Sequence, residues 1–211
     1  MLRTSHRLGL AALGLLAPLP AHAHHAMGGE LPTNALESAI SGLAHPVIGI
    51  DHLAFVVLVG LLAARSGQRL ALSGSFAAAT VVGCLLLLAG VTLPLTEVVI
   101  GGSVVALGAV LLRAELPKVK ALGIVVPVIG LFHGWAYGEA ILGAETGVIP
   151  AYLLGFGLVQ FAIAAGVATL VVAARESAGL AATRERITAA ACMGIGCAVM
   201  IETVEAMVFT V

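Results

Sequence analysis

Six apolar stretches follow one another along this chain, at residues 46–64, 70–90, 95–112, 119–141, 149–174 and 187–209. A helix rises about 1.5 Å per residue, so roughly 20 residues cross the ~30 Å of hydrocarbon in a bilayer. Every stretch is close to that length, and none shows the period-two alternation of a transmembrane β-strand. The pattern predicts an all-α, polytopic membrane bundle of six transmembrane helices. Composition agrees, because 10% charged and 60% hydrophobic residues leave too little charge to clothe a soluble domain. A net charge of −1 with no basic block argues against nucleic acid as a partner.

The chain opens as a secretory signal does. Arg3 and Arg7 form a positive region, Leu8 to Leu16 an apolar core, and Ala21-His22-Ala23 a small-x-small cleavage site. Residues 1–23 are read as a cleaved signal peptide, 24–45 as an extracytoplasmic N-terminal segment, and 46–211 as the six-helix domain. The remaining basic residues set the orientation. Arg65 and Arg69, then Arg113, Lys118 and Lys120, then Arg175, Arg184 and Arg186 fall in the first, third and fifth connections. The positive-inside rule puts these three connections in the cytoplasm. The expected location is the bacterial inner (plasma) membrane, with the mature N-terminus and the C-terminus both periplasmic.

Ionisable side chains within a span are costly and need a partner or a function. The first stretch opens with His45-Pro46-Val47-Ile48-Gly49-Ile50-Asp51-His52, and the fourth carries His133-Gly134-Trp135-Ala136-Tyr137-Gly138-Glu139. On a straight helix, residues seven apart share a face, which would align His45 with His52. With the stated orientation, His45 and Glu139 lie at the outer mouth, and Asp51, His52 and His133 about two turns down, ~10 Å. Glu202 in the sixth stretch falls at a similar level, and Glu97 stands at the outer mouth of the third. Imidazole plus carboxylate is a ligand set for borderline divalent ions such as Ni²⁺, Co²⁺ and Zn²⁺. A structural network of His–carboxylate pairs, or a proton relay, would use the same residues. The His-x5-Asp and His-x5-Glu spacings also echo each other across three spans, as two inverted halves would.

His24 and His25 would begin the mature chain. An amine, the next amide nitrogen and an imidazole in second position can chelate a metal, so these two histidines form a second candidate site. Other features have plainer readings. Cys84, Cys192 and Cys197 sit in apolar runs and form no CxxC pair. Met193, Met200 and Met207 recur every seven residues as a core stripe, with a soft-metal ladder as the alternative. Gly134 and Gly138 suit either close helix packing or a thinned backbone around the site. Gln160 is either an interhelical hydrogen-bonding group or part of a path.

His45-x5-Asp51-His52 and Phe132-His133-Gly134-x-Ala136-x-Gly138-Glu139 resemble the two signature motifs of the HupE/UreJ family of nickel or cobalt permeases. The resemblance extends over nearly the whole mature chain, including Glu97 and Ser103. It implies uptake of Ni²⁺ or Co²⁺ as transported substrate, no prosthetic group, and no enzymatic activity of its own. His45, Asp51, His52, His133 and Glu139 would form the pathway, with Glu97 and Glu202 nearby and His24 and His25 capturing the ion. Many family members carry a histidine in the fifth span, where this chain has Gln160. The implied partners are a divalent metal ion and the lipid bilayer, and a homo-oligomer or a metallochaperone is compatible with the sequence. The competing readings are an intramembrane zinc hydrolase and a metal-binding accessory or sensor protein without flux.

Overall fold

The computed structural model describes residues 30–116, 118–177 and 181–209. The signal-peptide assignment and the pair His24–His25 lie outside these residues. The described chain is all-α. Its helices are α1 (Ala35–Ile48), α2 (Ile50–Ser66), α3 (Arg69–Leu88), α4 (Thr96–Leu112), α5 (Val119–Glu139), α6 (Ile149–Ser177) and α7 (Ala181–Phe209).

The first apolar stretch differs from its expected form. A helix already starts at Ala35, inside the segment read as N-terminal to the spans. Its start is a reciprocal cap: Asn34 Oδ1 accepts from the Glu37 N–H at 3.0 Å, while Glu37 Oε2 accepts from the Thr33 N–H at 2.9 Å. The helix runs through Pro46 and ends at Ile48. Gly49 (φ −70°, ψ 99°) leaves helical geometry, and α2 restarts at Ile50 with its axis turned by 78°. Proline removes one backbone donor and glycine lowers the cost of leaving the helix, so the break falls at Gly49, three residues after Pro46.

Four helices, α3, α5, α6 and α7, contain segments long and apolar enough to cross a membrane, and the bent pair α1–α2 passes the same test as one unit. The length criterion thus gives four to five spans among the described residues, where the sequence pattern suggested six. The shortfall is α4. Leu95 adopts a left-handed conformation (φ 54°) at its start and leaves a 17-residue helix, about 26 Å long.

Helix α2 is the hub. Phe55, Val56, Leu58, Val59, Leu62 and Ala63 are fully buried in the main apolar core. It packs against all the other helices, most extensively α6. The pairing of levels shows the directions. Gly60 meets Ala164 and Val167, and Arg175 reaches Ala64, so α2 and α6 run parallel. Gly130 meets Phe76 and Gly134 meets Thr80, so α3 and α5 run parallel. Gly101 meets Met200 and Gly108 meets Met193, so α4 and α7 run antiparallel. These two methionines fill glycine hollows, so core packing holds for Met193 and Met200, whereas Met207 is exposed.

One end of the bundle gathers the basic connections. The Arg65 guanidinium donates to the carbonyls of Leu111, Arg113 and Ala114 at 2.6, 3.0 and 3.1 Å. Arg175 forms a two-pronged pair with Glu185, both contacts 2.6 Å. The first, third and fifth connections therefore meet at one end, opposite the break at Gly49.

Candidate metal centre

Helices α3 and α5 place His133. A Cβ on Gly134 would collide with the carbonyl of Thr80, and one on Gly83 with that of Leu131. The two backbones touch because these positions lack side chains, which is the close-packing role of Gly134. His133, the adjacent residue, is carried to the bundle centre and is 0% exposed. Phe55 stacks on its ring at 4.3 Å between centroids, and Phe76 meets it edge-on at 6.2 Å.

The break at Gly49 places the other side of the site. A Cβ there would lie 2.8 Å from His52 Cδ2 and 3.4 Å from Asp51 Oδ1, so glycine leaves room for both side chains. Asp51 sits in the first turn of α2, where backbone N–H groups favour a carboxylate. His45 sits in the last turn of α1, where carbonyls favour a positive group. All three are buried. His45 and His52 do not lie on one face of a single helix, because the helix is interrupted between them. Their ring centroids are 6.2 Å apart, and both rings touch Tyr137, His45 at 5.1 Å and His52 at 4.5 Å.

The central contact is His52 Nδ1 to His133 Nδ1 at 3.0 Å. The network assigns the protons. Ser103 Oγ donates to the Ile100 carbonyl at 2.7 Å, so at 3.1 Å it accepts from His133 Nε2–H. In the neutral ring, His133 Nδ1 then carries the lone pair that faces His52. The same reasoning applies at His45. The Tyr152 hydroxyl donates to the Tyr137 carbonyl at 2.7 Å and accepts from His45 Nδ1–H at 3.1 Å. An oxygen acceptor on the far ring N–H is the support usual around metal-binding histidines, and here hydroxyls fill that place.

Two nitrogens bound at right angles to one ion, each at about 2.1 Å, stand about 3.0 Å apart. The Nδ1 pair is at that separation. Among the described residues no three His, Cys, Asp or Glu side chains converge closely enough to hold an ion together. The geometry is a paired core, His52 and His133, with His45 and Asp51 packed around it. Glu139, the last residue of α5, is exposed, as are Glu97 in the first turn of α4 and Glu202 on α7. These three carboxylates lie outside the buried cluster.

The comparison with known proteins bears on this site. A family model described as HupE / UreJ protein matches residues 10–199. The chain belongs to the HupE/UreJ family. Protein HupE of Rhizobium leguminosarum bv. viciae is 32% identical over 162 residues, 71% of this chain and 80% of that protein. No solved structure matches. Membership in the HupE/UreJ family bears out the resemblance carried by the two histidine motifs, and the apolar helices make the chain a multi-pass membrane protein.

The sequence alone did not point to Tyr152, Phe55 or Thr80 as neighbours of the site. Tyr152 left one usable signal: a tyrosine inside an apolar helix usually pairs its hydroxyl.

Proposed function

We propose that this chain carries a divalent transition-metal ion, Ni²⁺ or Co²⁺, inward across a bacterial inner membrane through the site at His45, Asp51, His52 and His133. The observation that carries the reading is the buried Nδ1–Nδ1 pair at 3.0 Å, whose shared proton a cation would replace. Imidazole nitrogens select borderline ions over Mg²⁺ and Ca²⁺, which prefer oxygen shells. Asp51 offsets part of the ion's charge where the surrounding helices cannot.

In this reading the ion enters from the end nearer Gly49. His24 and His25 capture it, and Glu139, Glu97 and Glu202 line its approach. A discontinuous helix beside the binding position is a familiar plan for transporters. Below the site, the apolar core around Phe55, Leu58 and Leu62 closes the path, so release requires helix movement.

Six crossings fit the helix directions. Parallel α2 with α6, parallel α3 with α5, and antiparallel α4 with α7 are what strict alternation produces if α1–α2 count as one span. A 17-residue α4 is accommodated by modest local thinning or by flanking side chains. The basic end would then face the cytoplasm and both mature termini the periplasm.

The test is uptake of radiolabelled Co²⁺ and Ni²⁺ into proteoliposomes by wild type, His52→Ala and His133→Ala. Wild type should accumulate ion and both variants should not. Equal uptake by all three removes the transport role from this site. Stoichiometric binding without accumulation would make the chain a binding protein.

A further inference from the structure

Two buried oxygens near the histidine pair have no hydrogen-bond partner: Gln160 Oε1 and the Tyr137 hydroxyl. Both residues are 0% exposed. The orientation of the Gln160 amide is set by its nitrogen. Nε2 donates to Thr80 Oγ1 at 3.0 Å and to the Phe156 carbonyl at 3.2 Å. Turning the amide over would set Oε1 against the Phe156 carbonyl oxygen, which can only accept. Both N–H groups are therefore used, and Oε1 is left facing elsewhere in the packed interior. Leaving such an acceptor unmet costs about 1–3 kcal/mol, so its retention calls for an occupant.

Gln160 is tied to the histidine pair on two sides. Thr80 carries a carbonyl that packs against Gly134, the residue next to His133. Phe156 lies against Tyr137 at 5.3 Å, and Tyr137 lies against His52 at 4.5 Å. Gln160 thus reaches the two imidazoles only through neighbouring residues, an outer position rather than a coordinating one. The Tyr137 ring already touches both His45 and His52.

We propose that Gln160 Oε1 and the Tyr137 hydroxyl receive water molecules retained by the bound ion, so that the species taken up is a partly hydrated, six-coordinate divalent cation. This rests on the transport-site reading above and names the form of its substrate. Two imidazoles supply adjacent positions at the separation that right-angled coordination requires. Coordinated waters supply positions that His45 and Asp51 leave open, donating to an amide oxygen that can only accept and to a phenol that can accept and donate. Water-mediated contacts of this kind are nearly as favourable as direct ones. An ion held in four-coordinate geometry spreads its nitrogens to about 3.3 Å and has fewer waters to offer these oxygens. Six-coordinate ions gain from both groups, and four-coordinate ones gain little.

The experiment uses the full chain in detergent, with cobalt(II) chloride as the probe and zinc(II) as competitor. The readouts are the visible d–d spectrum of bound Co²⁺ and the Co²⁺-to-Zn²⁺ affinity ratio. Wild type should show the weak bands of six-coordinate Co²⁺. Gln160→Leu and Tyr137→Phe should each show the stronger bands of a lower coordination number. Their Co²⁺-to-Zn²⁺ ratio should fall about tenfold, the equivalent of one lost contact. Tyr137→Phe removes one oxygen without changing ring packing and keeps the test valid if Gln160→Leu folds poorly. Wild-type spectra and ratios in both variants, with the Co²⁺ band lost in His52→Ala, overturn this inference alone. No stoichiometric Co²⁺ band in wild type overturns the site itself.

Discussion

His45 to Asp51 and His133 to Glu139 each separate an imidazole from a carboxylate by five residues, and the bundle treats the two pairs differently. In α5 the helix is unbroken, so six residues advance about 9 Å and turn through about 240°. His133 is consequently at the centre and Glu139 exposed at the helix end. In the first pair Gly49 interrupts the helix and turns its axis by 78°. That turn resets the helical phase, and Asp51 is buried with His45 and His52. Equal spacing thus gives an interior carboxylate in one case and a peripheral one in the other. The echo between the motifs does not extend to the backbone, and the buried carboxylate comes from the broken half.

Substitutions can break or sharpen this contrast. The largest effect is expected at the shared core. His52→Ala and His133→Ala should each weaken Co²⁺ binding by on the order of 100-fold, and the double variant little further, since either removes the same pair. Additive losses in calorimetric titrations would mean two separate sites. Acidification comes next. Protons compete with the ion for imidazole nitrogen, so acidification should weaken Co²⁺ binding and never strengthen it, by up to about tenfold per pH unit for each imidazole that protonates. Affinity that rises as pH falls would speak against imidazole ligation.

The carboxylates test the contrast most directly. Asp51→Asn should cost roughly tenfold in affinity, whereas Glu139→Gln should stay within about twofold, as expected for an exposed group. Comparable losses would restore the equivalence of the two motifs. The smallest effects separate site from scaffold. Gly49→Ala keeps an accessible backbone conformation but presses on His52, and should lower affinity several-fold with little change in thermal stability. Gly134→Ala should lower both, costing about 1–3 kcal/mol of stability and weakening Co²⁺ binding, because its Cβ meets the α3 backbone whose close approach positions His133. Thermal unfolding of the two variants side by side checks this.

Much of the architecture was legible in the residues themselves. Runs of apolar residues with basic breaks at Arg65, Arg113 and Arg175 specify helices and the end where those breaks gather, because hydrocarbon solvation and charge act locally along the chain. The histidines and Asp51 stood out for the same reason: an ionisable group in an apolar run is conspicuous in one dimension. Helix α1 was not anticipated, since its start depends on the cap among Thr33, Asn34 and Glu37, and its apolar face is short. Nor was the length of α4, which hinges on the backbone conformation of Leu95.

What only the tertiary structure decided is which atoms face each other. No periodicity reveals that His52 and His133 meet through their Nδ1 atoms. Nor does any reveal that Ser103 and Tyr152 direct the protons, or that Gln160, bonded to Thr80, keeps an unmatched oxygen in the same interior. These relations join residues 81, 30, 107 and 80 positions apart. They exist because α3 and α5 touch backbone to backbone at Gly134 and because the first span bends at Gly49. The sequence by itself determined the apolar helices and the polar groups placed within them. The bend and the glycine contact, set by packing between distant segments, turned those groups into one site.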